Sequence, residues 1–407
     1  MKSSNKKNLN LLIQLCTIFM LASFFVFESY TWGRYILMGT AIAICSIDLI
    51  TNKKMKICIG EWHKYVFAFG LVCLLTIITS VRPQDSFGKF KFIIEILVCF
   101  TPIYNYYSKE DRSQYLLNSI KWAGYFVAVY SLYFYGLDFV ISMLKSAIRL
   151  ENSFSNINVI GQISAVAIII QVYEVLNLKK LRLSCLLMVP SLLMILATQS
   201  RKAFVLLILG LVLVLIVSSE DKKNTVKLLM RITVIIFAFV ILFVFLSRFS
   251  IFSGINERMG YLIKSFQGRE GGRSAYLRKQ MISVGWQYFL KNPVLGVGIG
   301  APHIIALNSI GEDAYLHNNF IELLCGGGII GFAAFYSIYI YLINRFIKYR
   351  KVVHYGKNIC IIMLLLFLVM EWGKVSCYSK ETYFYFMLFF IEVKQLRERY
   401  YNDFKHI

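Results

Sequence analysis

Charge is scarce in this 407-residue chain: Asp, Glu, Lys and Arg make up 16% of it, where a soluble domain carries about 25%. Acid is scarcer still, with 22 Asp and Glu against 44 Lys and Arg, for a net charge of +22. Hydrophobic residues reach 58% and the mean hydropathy is +0.62. That balance excludes a disordered chain, a collagen and an ordinary cytosolic enzyme. The nine cysteines contain no C-x-x-C, are odd in number and lie mostly inside apolar runs. They support neither a disulfide framework nor a zinc site, and most suit small apolar packing roles. No small-residue cleavage site follows the first apolar run, which Lys2, Lys6 and Lys7 precede, and a second run begins almost at once. The first run is therefore expected to be a retained helix. A charge of +22 would suggest nucleic acid in a soluble protein. Here the cations sit in short loops between apolar runs, which is a membrane-topology pattern, and no nucleic-acid partner is expected.

What the sequence does hold is a series of apolar runs matched to a bilayer, which needs about 20 residues per helix. They predict an all-α polytopic membrane protein with about twelve transmembrane helices, at 9–28, 35–50, 65–80, 90–107, 120–142, 157–176, 181–198, 203–218, 228–249, 318–343, 358–374 and 380–394. With a cytoplasmic N-terminus, the inner segments hold 26 Lys and Arg and the outer segments 18. Eight of the 18 lie at 248–291, around one long outer loop, and long loops count little in the positive-inside rule. The comparison becomes 26 against 10, which places both termini in the cytoplasm. The chain then divides into 1–249 with helices one to nine, an extracytoplasmic loop at 250–317 carrying short helices, and 318–407 with the last three helices and a cytoplasmic tail. Within the loop a helix is expected from Ser274, as N-cap, to a stop at Asn292-Pro293. Leu277, Met281, Val284 and Tyr288 fall on one face of it, suited to the bilayer surface or to the helix bundle.

Several residues could carry chemistry. Arg273 opens the loop helix after Gly271-Gly272. A cation there opposes the helix dipole, yet free backbone N–H groups beside a guanidinium suit an anion; a solvated surface arginine is the competing reading. Arg201 and Lys202 follow Thr198-Gln199-Ser200 in a tight outer hairpin, on the side the positive-inside rule depletes. They are snorkelling anchors or, for Arg201 above all, a fork for bidentate phosphate binding. His317, at the mouth of the tenth span, suits either proton acceptance from a sugar hydroxyl or a structural hydrogen bond. Glu322, a turn further in, must be paired or face a cavity, and the same holds for Glu95, Glu174 and Glu371. His303 has no Cys or acid at ligand spacing, so no metal is expected there. Gly296-x-Gly298-x-Gly300 lacks the βαβ setting of a dinucleotide loop and reads as a tight turn. Gly326, Gly327, Gly328 and Gly331 suit close helix packing.

These segments, taken in order, resemble a known family. His317-Asn318, nine residues, then Gly328-Ile329-Ile330-Gly331 is similar to the H-[NSQ]-x9-G-x-x-G signature of the O-antigen ligase/polymerase superfamily (the Wzy and WaaL type). Asn292-Pro293-Val294-Leu295-Gly296-Val297-Gly298 resembles its N-P-x-x-G-x-G stretch. Ser200-Arg201 resembles its S-R-G, with Lys202 in place of Gly, and Phe154-Ser155-Asn156-Ile157-Asn158 its F-x-N-P-N, with Ile157 in place of Pro.

The resemblance implies a metal-independent membrane glycosyltransferase of the GT-C type in the cytoplasmic (inner) membrane, needing no cofactor. Its substrate would be an undecaprenyl-diphosphate-linked oligosaccharide, met at the outer face. Membrane lipid and the pathway's chain-length regulator and flippase would be its partners. It further implies that Arg201 and Arg273 meet the lipid diphosphate and that His317 meets the acceptor hydroxyl. Lys202, Arg278, Asn318 and Glu322 complete the expected substrate-contacting set. A capsule or O-antigen polymerase is the leading expectation. A ligase attaching the finished glycan to a terminal acceptor is the rival within the family. A flippase or other transporter is the rival from another class, although the related halves common in transporters are not seen. A non-catalytic scaffold would leave Arg201, Arg273 and His317 unexplained.

Overall fold

The computed structural model describes residues 2–27, 33–52, 57–109, 112–145, 154–178, 183–218 and 273–404, with positions 233, 248 and 260. Among them every regular element is helical. This is the outcome expected of apolar runs whose backbone must satisfy its own hydrogen bonds in hydrocarbon. In chain order the α-helices are α1 (Lys2–Val26), α2 (Gly33–Asn52), α3 (Glu61–Leu75), α4 (Pro83–Tyr107), α5 (Ser113–Tyr135), α6 (Leu137–Lys145) and α7 (Ile157–Leu178). They continue with α8 (Met188–Thr198), α9 (Arg201–Ser218), α10 (Arg273–Lys291), α11 (Pro302–Ile310), α12 (Asn319–Lys348), α13 (Tyr355–Met370) and α14 (Lys380–Phe404). Short 3-10 turns at Thr76–Thr79 and Leu183–Leu187 extend α3 and precede α8.

Six helices among the described residues are long and apolar enough to cross a membrane: Asn8–Val26, Gly33–Ile50, Glu61–Thr79, Ile157–Leu178, Arg201–Ser218 and Asn319–Lys348. The other expected spans that fall on described residues are helical but differ in kind. The segment expected as one span at 120–142 is α5 and α6, bent by 89°. The bend falls at Gly136, whose φ of 82° only glycine adopts at little cost. Of the span expected at 181–198, the described residues 183–198 form a 3-10 turn and an 11-residue helix, and α13 has 16 residues. Helices α4 and α14 are long but carry acids and lysines along their length. Apart from positions 233 and 248, the span expected at 228–249 lies outside the described residues.

The chain forms two compact units, residues 1–16, 37–116 and 272–407 in the first and 17–36 and 117–271 in the second. In the first, aromatic side chains knit α3, α4, α12 and α14 together. Phe69 meets Phe335 at 5.3 Å and Phe100 meets Phe384 at 5.6 Å between ring centres, and Trp62 Nε1 donates to the Tyr383 carbonyl at 3.2 Å. In the second unit α7 is the central helix, and small residues let its neighbours close in. A Cβ at Gly124 of α5 would stand 2.7 Å from the Ile163 carbonyl oxygen, and one at Gly161 of α7 2.8 Å from Thr198 Oγ1. Lys121 of α5 and Glu174 of α7 form a buried ion pair, so Glu174 is a paired acid.

The helix expected from Ser274 runs from Arg273 and stops at Asn292-Pro293 as the sequence indicates. Met281 of its apolar face joins a buried cluster with Ile305, Ala306, Leu316 and Cys325, and Val284 and Tyr288 pack against it. That face lies on protein.

Candidate functional site

The segment after α10 is a turn built on glycine. Gly296, Gly298 and Gly300 have φ of 66°, 103° and 94°, conformations that L side chains rarely adopt. The turn fits into a break in α12, where Gly328 leaves the helix at φ 59° and ψ −160°. A break in an apolar helix strands carbonyl and N–H groups that need partners, and the turn supplies them. Val297 N donates to the Cys325 carbonyl at 2.9 Å and Gly298 N to that of Gly326 at 2.8 Å. In return Ile329 N donates to the Pro293 carbonyl at 2.8 Å and Ile330 N to that of Val294 at 3.3 Å. The 3-10 corner before α4 holds the other side, with Val81 N donating to the Val297 carbonyl at 2.9 Å and Ile299 N to Thr76 Oγ1 at 3.2 Å. The glycines of α12 thus pack against this turn, a closer approach than helix packing needs: a Cβ at Gly328 would stand 2.3 Å from the Val294 carbonyl oxygen.

Beside this interlock lies an open cavity of about 500 Å³, lined by Asp85 and Lys89 of α4, His303 of α11, Tyr315, Glu322 of α12 and Tyr378, among others. Glu322 is 1% exposed. Its Oε2 accepts from Leu316 N at 2.8 Å, and the Tyr378 hydroxyl donates to it. Burial, reinforced by the Glu322 carboxylate, pushes the Tyr378 phenol well above its usual range, so it stays a donor. The same hydroxyl accepts from Gly300 N at 2.9 Å, tying the glycine turn to the cavity wall. Lys89 Nζ lies 4.1 Å from the centre of the Tyr378 ring, a cation–π contact. His303 Nε2 stands 3.4 Å from Asp85 Oδ2.

His317 occupies the bend into α12 and has φ 55°. A left-handed conformation at a non-glycine residue costs on the order of 1–3 kcal/mol and clusters at functional positions. Its ring meets Tyr315, a cavity residue, edge-on at 4.7 Å between centres. Asn318 caps α12, its Oδ1 accepting from Ile321 N at 3.1 Å. The next residue, Asn319, bridges two segments: Oδ1 accepts from Ser376 N and Cys377 N at 3.0 and 3.1 Å, and Nδ2 donates to Tyr336 at 3.0 Å. Glu371 accepts from Tyr339 at 2.7 Å and Ser376 at 2.6 Å, so hydroxyl groups satisfy this buried acid.

In the second unit, Ser200 and Arg201 open α9 after Gln199, which takes the left-handed φ of 47°. Ser200 Oγ donates to Asn158 Oδ1 at 3.0 Å, and Asn156 Oδ1 accepts from Asn158 N at 3.0 Å. Asn158 therefore has a definite role, holding the start of α7 to the start of α9. Ile157 is the first residue of α7, a position that favours proline but tolerates other residues. Arg201 and Lys202 are both half-exposed at the N-terminal end of α9.

Each of the four motif segments thus meets another motif segment through hydrogen bonds, the glycine turn with the α12 break and the 154–158 segment with Ser200. Residues 186–336 match the O-antigen ligase family model. This segment belongs to the O-antigen ligase/polymerase superfamily. No curated protein matches the chain. Members of the O-antigen ligase family are membrane glycosyltransferase-like enzymes, in keeping with several apolar helices and a multi-pass membrane protein here.

Of the expected site residues, Arg273, Arg278, His317, Asn318 and Glu322 belong to the first unit and Arg201 and Lys202 to the second. Glu322 lines the cavity and His317 adjoins it through Tyr315. Arg273 is the first residue of α10; its side chain lies outside the described residues. Arg278 is half-buried on the same helix. Sequence reasoning did not find Asp85, Lys89, Tyr315, Tyr378 or Asn319. They come from three separate stretches of chain, and no spacing in the sequence links them.

Proposed function

We propose that this protein is a polysaccharide polymerase of the cytoplasmic membrane, spanning it about twelve times with both termini inside. It moves a glycan from undecaprenyl diphosphate onto the terminal sugar of another lipid-linked repeat unit, lengthening a capsule or O-antigen chain at the outer face. In this reading the glycosidic carbon–oxygen bond to the diphosphate breaks and a new bond to the acceptor oxygen forms. Arg201 and Arg273 offset the charge that builds on the departing diphosphate, while His317 takes the proton from the acceptor hydroxyl. The acceptor sugar sits in the cavity beside His317, where Tyr315 offers an apolar ring face and Glu322, Asp85 and Tyr378 offer hydrogen-bonding groups.

The observation that carries the reading is His317 in a left-handed bend against this polar cavity, within a segment that matches the O-antigen ligase family. The test is chain-length analysis of the glycan in a deletion strain carrying single variants, with membrane levels of the protein checked in parallel. Arg201→Lys or Arg273→Lys keeps charge but loses the bidentate fork, and loss of a preorganised charge stabiliser costs on the order of 100-fold in rate. His317→Ala is expected to slow transfer while leaving donor binding nearly intact. Long chains of normal distribution from well-expressed His317→Ala or Arg273→Ala protein would refute the mechanism.

A further inference from the structure

The helices that carry the cavity beside His317 carry a second cavity at their other ends. On α4, Gln84 lines the first and Tyr104 the second, and their separation along a helix is about 30 Å at 1.5 Å per residue. That is about the thickness of the hydrocarbon core. On α12 the same division holds, with Glu322 at one end and Arg345 and Tyr349 at the other. The second cavity, of about 330 Å³, therefore lies at the opposite membrane face, the one the charge count assigns to the cytoplasm.

Its lining is cationic. Arg345, Lys394 and Arg397 converge on it, together with Tyr104, Tyr341 and Tyr349. The one carboxylate in the lining, Glu61, is already engaged by Lys64 at 2.8 Å. Among the described residues Arg345 and Arg397 form no ion pair within 4.0 Å. Lys394 donates to the Ser108 carbonyl at 3.1 Å, with Glu398 at 3.9 Å. Arg345 lies over the Tyr341 ring, 4.9 Å from its centre, a cation–π contact between two lining residues. Ordinary interfacial cations reach outward to headgroups; here two guanidiniums and an ammonium share one concave space with phenol groups. Guanidinium is the side chain best fitted to grip a phosphate in two hydrogen bonds.

We propose that this cavity binds a phosphate group, making it an anion site at the membrane face opposite the transfer chemistry. The ligand is either the headgroup of an anionic phospholipid or a soluble phosphate compound, and the two sources predict different responses. The site does not depend on the reaction assigned above, since its occupancy is read without turnover.

The test uses the full-length protein in phosphatidylcholine nanodiscs. One arm titrates phosphatidylglycerol into the disc and the other adds inorganic diphosphate to the buffer. Native mass spectrometry of retained ligand and thermal unfolding report occupancy. Saturable binding of at least one probe is expected, weakened about tenfold by Arg345→Gln or Arg397→Gln, as loss of a charge-assisted hydrogen-bond pair implies. Arg350→Gln removes an exposed cation outside the cavity lining and is expected to change binding less than about twofold, as for a screened surface charge. Lipid binding that diphosphate does not compete assigns the headgroup; diphosphate binding without lipid retention assigns a soluble ligand. Arg397 is exposed, so Arg397→Gln carries the comparison if Arg345→Gln does not fold. Absence of saturable binding by either probe, or equal loss from Arg350→Gln and Arg397→Gln, would overturn the proposal.

Discussion

Gly328→Ala is the sharpest perturbation of the frame that holds the site. The added Cβ would stand 2.3 Å from the Val294 carbonyl oxygen, 2.4 Å from its carbon and 2.7 Å from Leu295 N. All three are backbone atoms, so no side chain can rotate away. The residue's φ of 59° with ψ of −160° belongs to a region almost confined to glycine, and holding alanine there costs about 1–3 kcal/mol. Relief of the clash must part the turn from the break, and losing two of their four shared backbone hydrogen bonds adds about 1–3 kcal/mol. The expected destabilisation is thus about 2–6 kcal/mol. Thermal unfolding of the purified protein measures it. The control is Gly39→Ala in α2, where a Cβ meets nothing within 4 Å and alanine is expected to be neutral or stabilising by about 0.5–1 kcal/mol. A Gly328→Ala protein within about 0.5 kcal/mol of the wild type, the range of an inconsequential surface change, would refute the interlock.

Three other outcomes follow from particular contacts. Replacing Lys121 or Glu174 alone strands a buried charge and is expected to destabilise by about 3–5 kcal/mol, whereas Lys121→Met with Glu174→Leu recovers most of that in the same unfolding assay; additive losses would contradict the pairing. Ser200→Ala and Asn158→Ala each remove the Ser200–Asn158 hydrogen bond together with a second one, from Ala203 N to Ser200 Oγ or from Asn158 Nδ2 to Asn156 Oδ1. A double-mutant cycle is expected to show a coupling of about 0.5–1.5 kcal/mol for the shared bond. A reporter fused at position 310 is expected to score as extracytoplasmic, and a cytoplasmic signal would overturn the orientation and the site together.

The helices were legible because apolar length and period are local properties. Runs such as 157–176 and 318–343 appear as α7 and α12 within a few residues, and the stop of α10 at Asn292-Pro293 follows from proline chemistry. The 89° bend at Gly136 was not legible, since an isolated glycine in an apolar run fits a straight helix or a break. The Gly-x-Gly-x-Gly turn was readable as a turn, but its partner was not. Nothing in the sequence of 292–300 says that its N–H groups will meet the carbonyls of Cys325 and Gly326. The cavity was hidden for the same reason. Glu322 was visible as a costly intramembrane acid, but its neighbours Lys89, His303 and Tyr378 come from distant segments. Glu174 and Glu371 looked alike in sequence, and tertiary structure separated them: the first is satisfied by a lysine, the second by hydroxyl groups.

The most direct measurement of the proposed activity is incubation of the purified protein with an undecaprenyl-diphosphate-linked repeat unit as the sole substrate. Because one molecule serves as donor and another as acceptor, a polymerase needs nothing else in the tube. The account predicts a ladder of products separated by one repeat unit, absent with His317→Ala. Unchanged substrate from active, folded protein, followed by transfer only when a different terminal acceptor is added, would contradict polymerisation and point to a ligase.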